Sequence, residues 1–114
     1  MEPETLAKIK ENARRASSLL KAMSNQHRLM VLCQLAPGEK CVGDLEKIIG
    51  LSQSALSQHL ARLRRDELVQ TRREAQTIYY SLNGEGPTAV IEALYEIYCK
   101  DEVAAQTGKN PPSG

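Results

Sequence analysis

The segment from Asp44 to Glu67 constrains the fold more than any other part of this sequence. A short helical stretch, about Asp44 to Ile49, is followed by Gly50, which can supply the left-handed residue that ends a helix. Ser52 can then cap a longer helix that runs to about Glu67. Two helices joined by a three- or four-residue turn that contains glycine are typical of a helix-turn-helix. The sequence therefore predicts this motif in the middle of the chain.

Helical patterns also lie on both sides of this motif. The first 23 residues carry apolar side chains at alternating spacings of three and four, which predicts a narrow stripe for a helix-helix seam. The stripe consists of Leu6, Ile9, Ala13, Ala16, Leu20 and Met23. A second helix should follow a cap at Ser24 or Asn25 and end at Pro37. A last helix should have Pro87 in its first turn and apolar residues at helical spacing, namely Ile91, Leu94, Tyr95 and Tyr98.

Two segments between the longer helix and the last helix alternate between apolar and polar side chains. The segments "LVQTRR" and "TIYYSL" predict a two-stranded β-hairpin. Because no glycine occupies the intervening "EAQ", we expect a longer and looser loop there. The predicted fold is therefore mainly α, with the order α-α-α-α-β-β-α.

Length and composition limit the chain to one domain. A chain of 114 residues suits a single hydrophobic core, and 41% hydrophobic with 25% charged residues is usual for globular proteins. We expect a domain over residues 1–100 and a flexible tail over 101–114. No apolar run approaches the roughly 20 residues of a membrane span, and the first residues do not resemble a signal peptide. We therefore expect a cytoplasmic protein without a membrane partner.

The predicted hairpin and the helix before it carry a modest positive charge. Residues 52–82 hold five arginines against three carboxylates, which favours nucleic acid as a partner without proving it. At about 100° per residue, Leu56, Leu60 and Leu63 share the buried side of the helix, so the polar side chains point away from it. The candidate DNA contacts are Ser52, Gln53, Ser54, Ser57, Gln58, His59, Arg62, Arg65, Arg72, Arg73 and Gln76.

Each of these candidates has a simpler interpretation. By pattern alone, a polar helix face is more often solvated surface than a DNA contact. His59 lies about 60° from the leucine side, so the pattern suits a partly buried, hydrogen-bonded histidine at least as well. Arg72 and Arg73 equally suit a charged edge strand that discourages aggregation.

The three cysteines, Cys33, Cys41 and Cys99, indicate thiol chemistry or packing. Without an export signal, and with an odd number, they are expected to be free thiols, ligands or sensors rather than a disulfide framework. A single buried cysteine is most often a small apolar filler. The sequence has no Gly-rich phosphate loop, nucleophile elbow or cluster of carboxylates, which argues against an enzyme.

The helix order, together with "SQSALSQHLARLRRDELVQTRREAQTIYYSL", resembles the ArsR family of dimeric winged-helix repressors. The resemblance covers about Leu19 to Lys100. It implies a winged helix-turn-helix that binds double-stranded operator DNA at an imperfect inverted repeat. It also implies a homodimer formed through the first and last helices, which agrees with the apolar stripe.

Many members of this family sense metals, and the relevant motifs differ here. Arsenic sensors carry C-V-C-D-L at the start of the third helix, whereas this chain has "CVGDL", with Cys41 at the first position and Gly43 at the second. Zinc sensors place Asp and His on the last helix, but "PTAVIEALYEIYCK" has no histidine. We therefore expect no metal and no cofactor. A metal-responsive repressor that uses Cys41 remains one alternative.

The segments "LLKAMSNQHRLMVLCQL" and "YCK" are similar to the HlyU, BigR and SqrR subgroup, which senses reactive sulfur or oxidants through two cysteines. By motif match the pair is Cys33 and Cys99, and Cys41 lies outside it. The resemblance implies a repressor that binds its operator when reduced and releases it when a disulfide or polysulfide joins the pair. Its inducer would be a small reactive sulfur species or oxidant. A non-sensing DNA-binding dimer whose thiols only pack remains a second alternative.

Overall fold

A computed structural model describes residues 1–99, so the predicted tail at 101–114 lies outside the described residues. The described residues begin with two helices and end with a helix followed by a π-helical turn, and the sheet lies between them. In order, the elements are α1 (Pro3–Met23), α2 (Gln26–Leu35), β1 (Lys40–Cys41), α3 (Val42–Ile49), α4 (Gln53–Arg65), β2 (Val69–Glu74), β3 (Thr77–Leu82), α5 (Glu85–Leu94) and the π-helical turn (Tyr95–Cys99). This mainly helical order with a β-hairpin confirms the predicted fold class.

The predicted helix-turn-helix is formed by α3, α4 and the three residues between them. Gly50 ends α3 with φ 82°, a conformation that costs glycine little. Ser52 caps α4, because its hydroxyl accepts a hydrogen bond of 3.2 Å from the backbone N–H of Ala55. α3 begins at Val42, two residues earlier than predicted, with Cys41 as its N-cap.

Of the two residues predicted to cap α2, Ser24 and Asn25, the structure uses Asn25. Asn25 is the N-cap, and its side-chain oxygen accepts from the backbone N–H of Arg28 at 3.0 Å. Arg28 in turn donates from Nε to the backbone oxygen of Ala22 at 2.6 Å, across the junction with α1. This junction fixes the direction in which α2 leaves α1.

The core lies where α2, α3 and α4 meet. Leu56, Leu60 and Leu63 are at most 1% exposed, which confirms the predicted buried side of α4. Leu32, Leu35 and Leu45 pack in the same cluster. Burying each leucine side chain contributes on the order of 1.5–3 kcal/mol, so this cluster holds α4 firmly and leaves its opposite side free.

The hairpin turn is tighter than predicted. Glu74 pairs with Thr77, so only Ala75 and Gln76 form the turn, and the expectation of a longer loop is wrong. Ala75 adopts φ 55°, a left-handed conformation for which such turns usually have glycine. The left-handed conformation costs an alanine about 1–2 kcal/mol, which the six paired positions of the hairpin offset.

The sheet has a third strand that the sequence pattern did not predict. β1 pairs antiparallel with β3, placing Lys40 opposite Tyr80 and Cys41 opposite Tyr79, so the order is β1-β3-β2. Two residues are too few to show an alternating pattern. We call the hairpin, formed by β2, β3 and their turn, the wing. β1 links the segment after α2 to this wing by pairing with β3.

The apolar stripe of α1 divides into two parts. Leu6, Ile9 and Leu20 are exposed, but Met23 is only 3% exposed and belongs to the core of the protomer, contrary to its assignment to the seam. At the other end of the described chain, Ile97 and Tyr98 are also exposed. No helix within residues 1–99 combines the length and apolarity needed to cross a membrane.

Candidate nucleic-acid interface and thiol site

The outer face of α4 consists of small and polar side chains. Ser54, Ser57 and Gln58 are exposed on the side opposite the buried leucines, and Ala61 lies between them and the C-terminal arginines. Gln53 and Ser52 are exposed at the start of the helix, although the Ser52 hydroxyl already accepts the capping hydrogen bond. Amide and hydroxyl groups on a narrow helix can contact base edges in a major groove about 12 Å wide.

The predicted arginines differ in how strongly carboxylates hold them. Arg62 donates from Nε to Asp66 at 2.7 Å, whereas Arg65 approaches the same carboxylate at only 3.5 Å. The hydrogen bond from Arg62 is the main reason that the pKa of Asp66 lies below its usual value. Asp66 is therefore charged at neutral pH and neutralises much of the charge of Arg62.

Arg72, on the wing, is held by more partners than any other predicted arginine. It donates to Glu39 at 2.6 and 3.1 Å and to Glu74 at 2.7 Å. Its guanidinium carbon also lies 4.6 Å from the centre of the Tyr79 ring. The hydrogen bond from Arg72 lowers the pKa of Glu39. The position of Arg72 is therefore fixed before any DNA arrives.

The tip of the wing carries the remaining predicted contacts. Arg73 and Gln76 are exposed, and Arg73 pairs with no carboxylate of residues 1–99. The two-residue turn holds Gln76 at the extreme of the hairpin. This arrangement suits a contact with the DNA backbone or minor groove, and that contact stays a prediction.

His59 faces the junction of α4 with the start of α2. Its ring centre lies 5.6 Å from that of His27, with the rings tilted by 39°. Burial lowers the pKa of His59, and the charges of Arg28 and His27 lower it further. Nδ1 of His27 is buried without a hydrogen-bond partner among the described residues. This location favours a packing role for His59.

The three thiols are free and lie on three different elements. Cys33 is an exposed residue of α2, Cys99 ends the π-helical turn, and Cys41 precedes α3. Although Cys33 is exposed, the surrounding protein raises the pKa of its thiol, and the charge of Cys99 raises it further. α2 packs against α5, the helix that the π-helical turn continues, so the two elements that bear Cys33 and Cys99 are neighbours.

Cys41 lies on a different element, β1, where it pairs with Tyr79 of β3. It borders a cavity of about 360 Å³ that Gln76, Thr77 and Ile78 also line. A Cβ atom added at Gly43 would lie 4.0 Å from the Cys41 sulfur, so position 43 is where a second ligand would meet this thiol. Within residues 1–99, no three His, Cys, Asp or Glu side chains converge as a metal site requires.

A cleft between α4 and the wing contains two residues that the sequence did not single out. Its volume is about 450 Å³, and its lining consists of Ser57, Ala61, Arg64, Arg65 and Tyr80. Ser57, Ala61 and Arg64 are spaced i, i+4 and i+7, a helical pattern that could have indicated Arg64. Tyr80 had no such signal, because its approach to α4 depends on the docking of the sheet.

Comparisons with known proteins agree with this architecture. The family model for the bacterial regulatory protein arsR family matches residues 25–71. The transcriptional activator HlyU of Vibrio cholerae is 51% identical over 98 residues, covering 86% of this chain and 91% of that protein. The biofilm growth-associated repressor of Xylella fastidiosa is 40% identical over 97 residues, covering 85% of each.

Solved structures give the same result. Reduced HlyU from Vibrio cholerae superposes with a TM-score of 0.78 at 52% identity, covering 81% of this chain and 97% of that chain. The repressor BigR from Xylella fastidiosa superposes with a TM-score of 0.76 at 40% identity, covering 84% and 95%. With this identity and coverage, the chain belongs to the ArsR family of winged-helix, DNA-binding transcriptional regulators, which are not enzymes.

Proposed function

We propose that this protein is a transcriptional repressor that senses reactive sulfur or oxidants through Cys33 and Cys99. The observation that carries the proposal is that the two thiols lie on neighbouring elements: Cys33 is on α2, which packs against α5, and Cys99 ends the turn that continues α5. Both thiols are free, as a reduced sensor requires. Cys41 lies on a different element beside the wing and is left outside the pair.

The linking reaction balances with a polysulfide as the oxidant. The thiolate of one cysteine attacks the central sulfur of the donor R–S–S–S–R, which forms a mixed trisulfide and expels one thiolate, RS⁻. The second cysteine then attacks the inner sulfur of the mixed trisulfide and expels the other RS⁻, which leaves one inserted sulfur between the two cysteines. Two thiol protons are lost and the donor is reduced to two thiols. Each inserted sulfur lengthens the bridge by roughly 2 Å and so relieves strain relative to a direct disulfide.

The raised pKa of Cys33 sets the pH dependence of this reaction. The thiolate is the attacking form, so near neutral pH the protonated Cys33 reacts slowly. The rate of linking should therefore rise with pH into the alkaline range.

A link would connect two elements that position the DNA-binding surface. α2 packs against both α3 and α4, while the π-helical turn continues α5. We propose that exposed Leu6, Ile9, Leu20, Ile97 and Tyr98 form the seam of a homodimer. In such a dimer the two copies of α4 enter successive major grooves of an inverted repeat, about 34 Å apart. A change in that spacing would weaken both contacts at once, because affinity depends on simultaneous engagement.

The experiment uses a DNA duplex that the reduced protein itself selects from a random pool. Binding to this duplex is followed by fluorescence anisotropy before and after addition of sodium tetrasulfide, and the product is analysed by mass spectrometry. We expect an intramolecular link between Cys33 and Cys99 with added sulfur, together with release of the DNA. Cys33→Ser and Cys99→Ser should bind DNA and no longer respond.

Cys41→Ser is the matched control and should respond nearly as the unmodified protein does. If Cys41→Ser alone abolishes the response, the sensing pair is misassigned. A parallel titration with zinc tests the metal-responsive alternative, which predicts release of DNA without any covalent change. Because one relative is named an activator and another a repressor, a reporter gene should also show that the reduced protein lowers transcription.

A further inference from the structure

We infer that the cleft between α4 and β3 is a seat for one backbone phosphate of the bound DNA, with Arg64 as its principal cation. This inference rests on the proposed function only in that the protein binds duplex DNA; it does not depend on the thiols. It adds Arg64 and Tyr80 to the interface, neither of which was among the sequence-derived candidates.

The shape of the cleft suits a phosphate rather than a base. One wall is the strip of α4 formed by Ser57, Ala61 and Arg64, which follow one another along a single helix face, with Arg65 beside them. Ala61 contributes only a methyl group, so the side chains project least in the middle of this strip.

The opposite wall is fixed by the sheet. Tyr80 lies in the central strand, between Lys40 of β1 and Thr71 of β2. Its ring also packs against the hydrophobic core. Tyr80 is therefore held in place at the edge of the cleft, where its phenol can supply one hydrogen-bond donor.

The charge of this cleft differs from that of a larger neighbouring cleft in the described structure. Both of its arginines are exposed, and no carboxylate lines it. A second cleft, of about 490 Å³, also contains several basic residues, but Asp66 and Glu67 line it as well. The cleft beside β3 is thus a cationic site without an internal counter-ion.

Arg64 is also the arginine of α4 that is free to bind an anion. It forms no ion pair with any carboxylate of residues 1–99, whereas Arg62 is held by Asp66 at 2.7 Å and Arg65 approaches Asp66 at 3.5 Å. A guanidinium can donate two parallel hydrogen bonds to phosphate oxygens, and the Ser57 hydroxyl can donate a third. A backbone phosphate is the same whichever base is attached to its sugar. A contact with this phosphate should therefore position α4 on the DNA and not read the base sequence.

The test measures how DNA affinity depends on salt, using the reduced full-length protein and the selected duplex. The slope of log K against log salt is negative, and each phosphate contact contributes about 0.9 to its magnitude. Arg64→Ala should therefore reduce that magnitude by about 0.9 per protomer. The variant should weaken binding to selected and scrambled duplexes by the same factor. Arg64→Lys, which keeps the charge, should restore most of the slope.

Arg15→Ala is the matched control, because it removes the same charge from α1, outside this cleft. It should leave the slope unchanged, and Tyr80→Phe should weaken binding a few-fold while keeping the slope. An unchanged slope in Arg64→Ala, or an equal loss in Arg15→Ala, overturns the phosphate seat. If the unmodified reduced protein binds no duplex at all, the proposed function fails instead. Thermal unfolding of each variant establishes that it is folded.

Discussion

The outer face of α4 and the wing both carry positive charge, but they hold it in different ways. On α4, Arg64 has no ion-pair partner within residues 1–99, and Ser57 and Ala61 on the same helix face are small and exposed. On the wing, Arg72 is bound by Glu39 and Glu74 and stacks on Tyr79. The helix thus presents one cation, Arg64, that is free to bind a phosphate. The wing presents a cation that is already oriented and partly neutralised.

This difference shows that counting arginines does not locate a DNA-binding surface. Arg72 must exchange carboxylates for phosphate, so its net contribution to affinity is the difference between two ion pairs. Arg64 gains a partner without losing one. The structure therefore ranks Arg64 above Arg72 as a source of affinity. The following four changes compare α4 and the wing further.

The largest loss of stability should come from truncating a buried leucine of α4. Leu60 is 1% exposed, so Leu60→Ala should cost about 2–5 kcal/mol of unfolding free energy through lost burial and the cavity left behind. Chemical denaturation measures this loss. The wing offers the contrast, because Ile78 is 37% exposed and Ile78→Ala should cost far less. Equal losses would show that the wing is packed as firmly as the helix.

The two tight turns should respond in opposite directions. Gly50, between α3 and α4, has φ 82°, and a Cβ atom there would meet nothing within 4 Å. Gly50→Ala should therefore destabilise the protein by about 1–2 kcal/mol for conformational reasons alone. Ala75, at the wing tip, has φ 55°, so Ala75→Gly should relieve strain and leave stability unchanged or raised by up to about 1 kcal/mol. Thermal melts compare the two, and a loss in Ala75→Gly would contradict the strained turn.

Neutralising a carboxylate on the wing should strengthen DNA binding modestly. Glu39→Gln keeps a hydrogen-bond acceptor for Arg72 but removes the charge that competes with phosphate. We expect affinity for the selected duplex to rise a few-fold at low salt and the gain to shrink as salt screens it. Glu4→Gln, at the start of α1, is the control for net charge. Weaker binding in Glu39→Gln would mean that the ion pair mainly positions Arg72.

The smallest effect should be a loss of stability at acidic pH through His59, on the side of α4 that faces α2. The pKa of His59 is lowered from 6.5 by burial and by the charges of Arg28 and His27, so the folded state disfavours its protonation. This contribution to stability is complete above about pH 6.5 and is lost as the pH falls from there through the folded-state pKa. Unfolding free energies measured between pH 7.5 and about 5 should decline less steeply in His59→Gln. Identical declines would show that His59 is not responsible.

The sequence was most informative where local rules decide the structure. Ser52, Asn25 and Gly50 cap their helices as predicted, because capping depends on a few neighbouring residues. The leucines of α4 are buried as their spacing predicted. Local signals of this kind were sufficient to place the helix-turn-helix.

Features that depend on distant partners were not predictable in this way. Glu39 and Arg72 are 33 positions apart, so neither residue signals the other in the sequence. β1 has two residues and exists because β3 lies beside it. The tight turn at Ala75 is imposed by the pairing of the flanking strands against the preference of the residue itself. The phosphate seat was missed for the same reason, since Tyr80 reaches α4 only through the docked sheet.

The two-residue strand β1 has a mechanical consequence. Lys40 belongs to β1 and also donates from Nζ to the backbone oxygen of Gln34 in α2 at 2.6 Å. The helix that bears Cys33 is therefore connected to β3, the central strand of the sheet, by a segment of a few residues. A segment this short has little slack, so a displacement of the C-terminal end of α2 pulls on β3 instead of being absorbed in a loop. We therefore expect a displacement of α2 to be transmitted to the wing through β1.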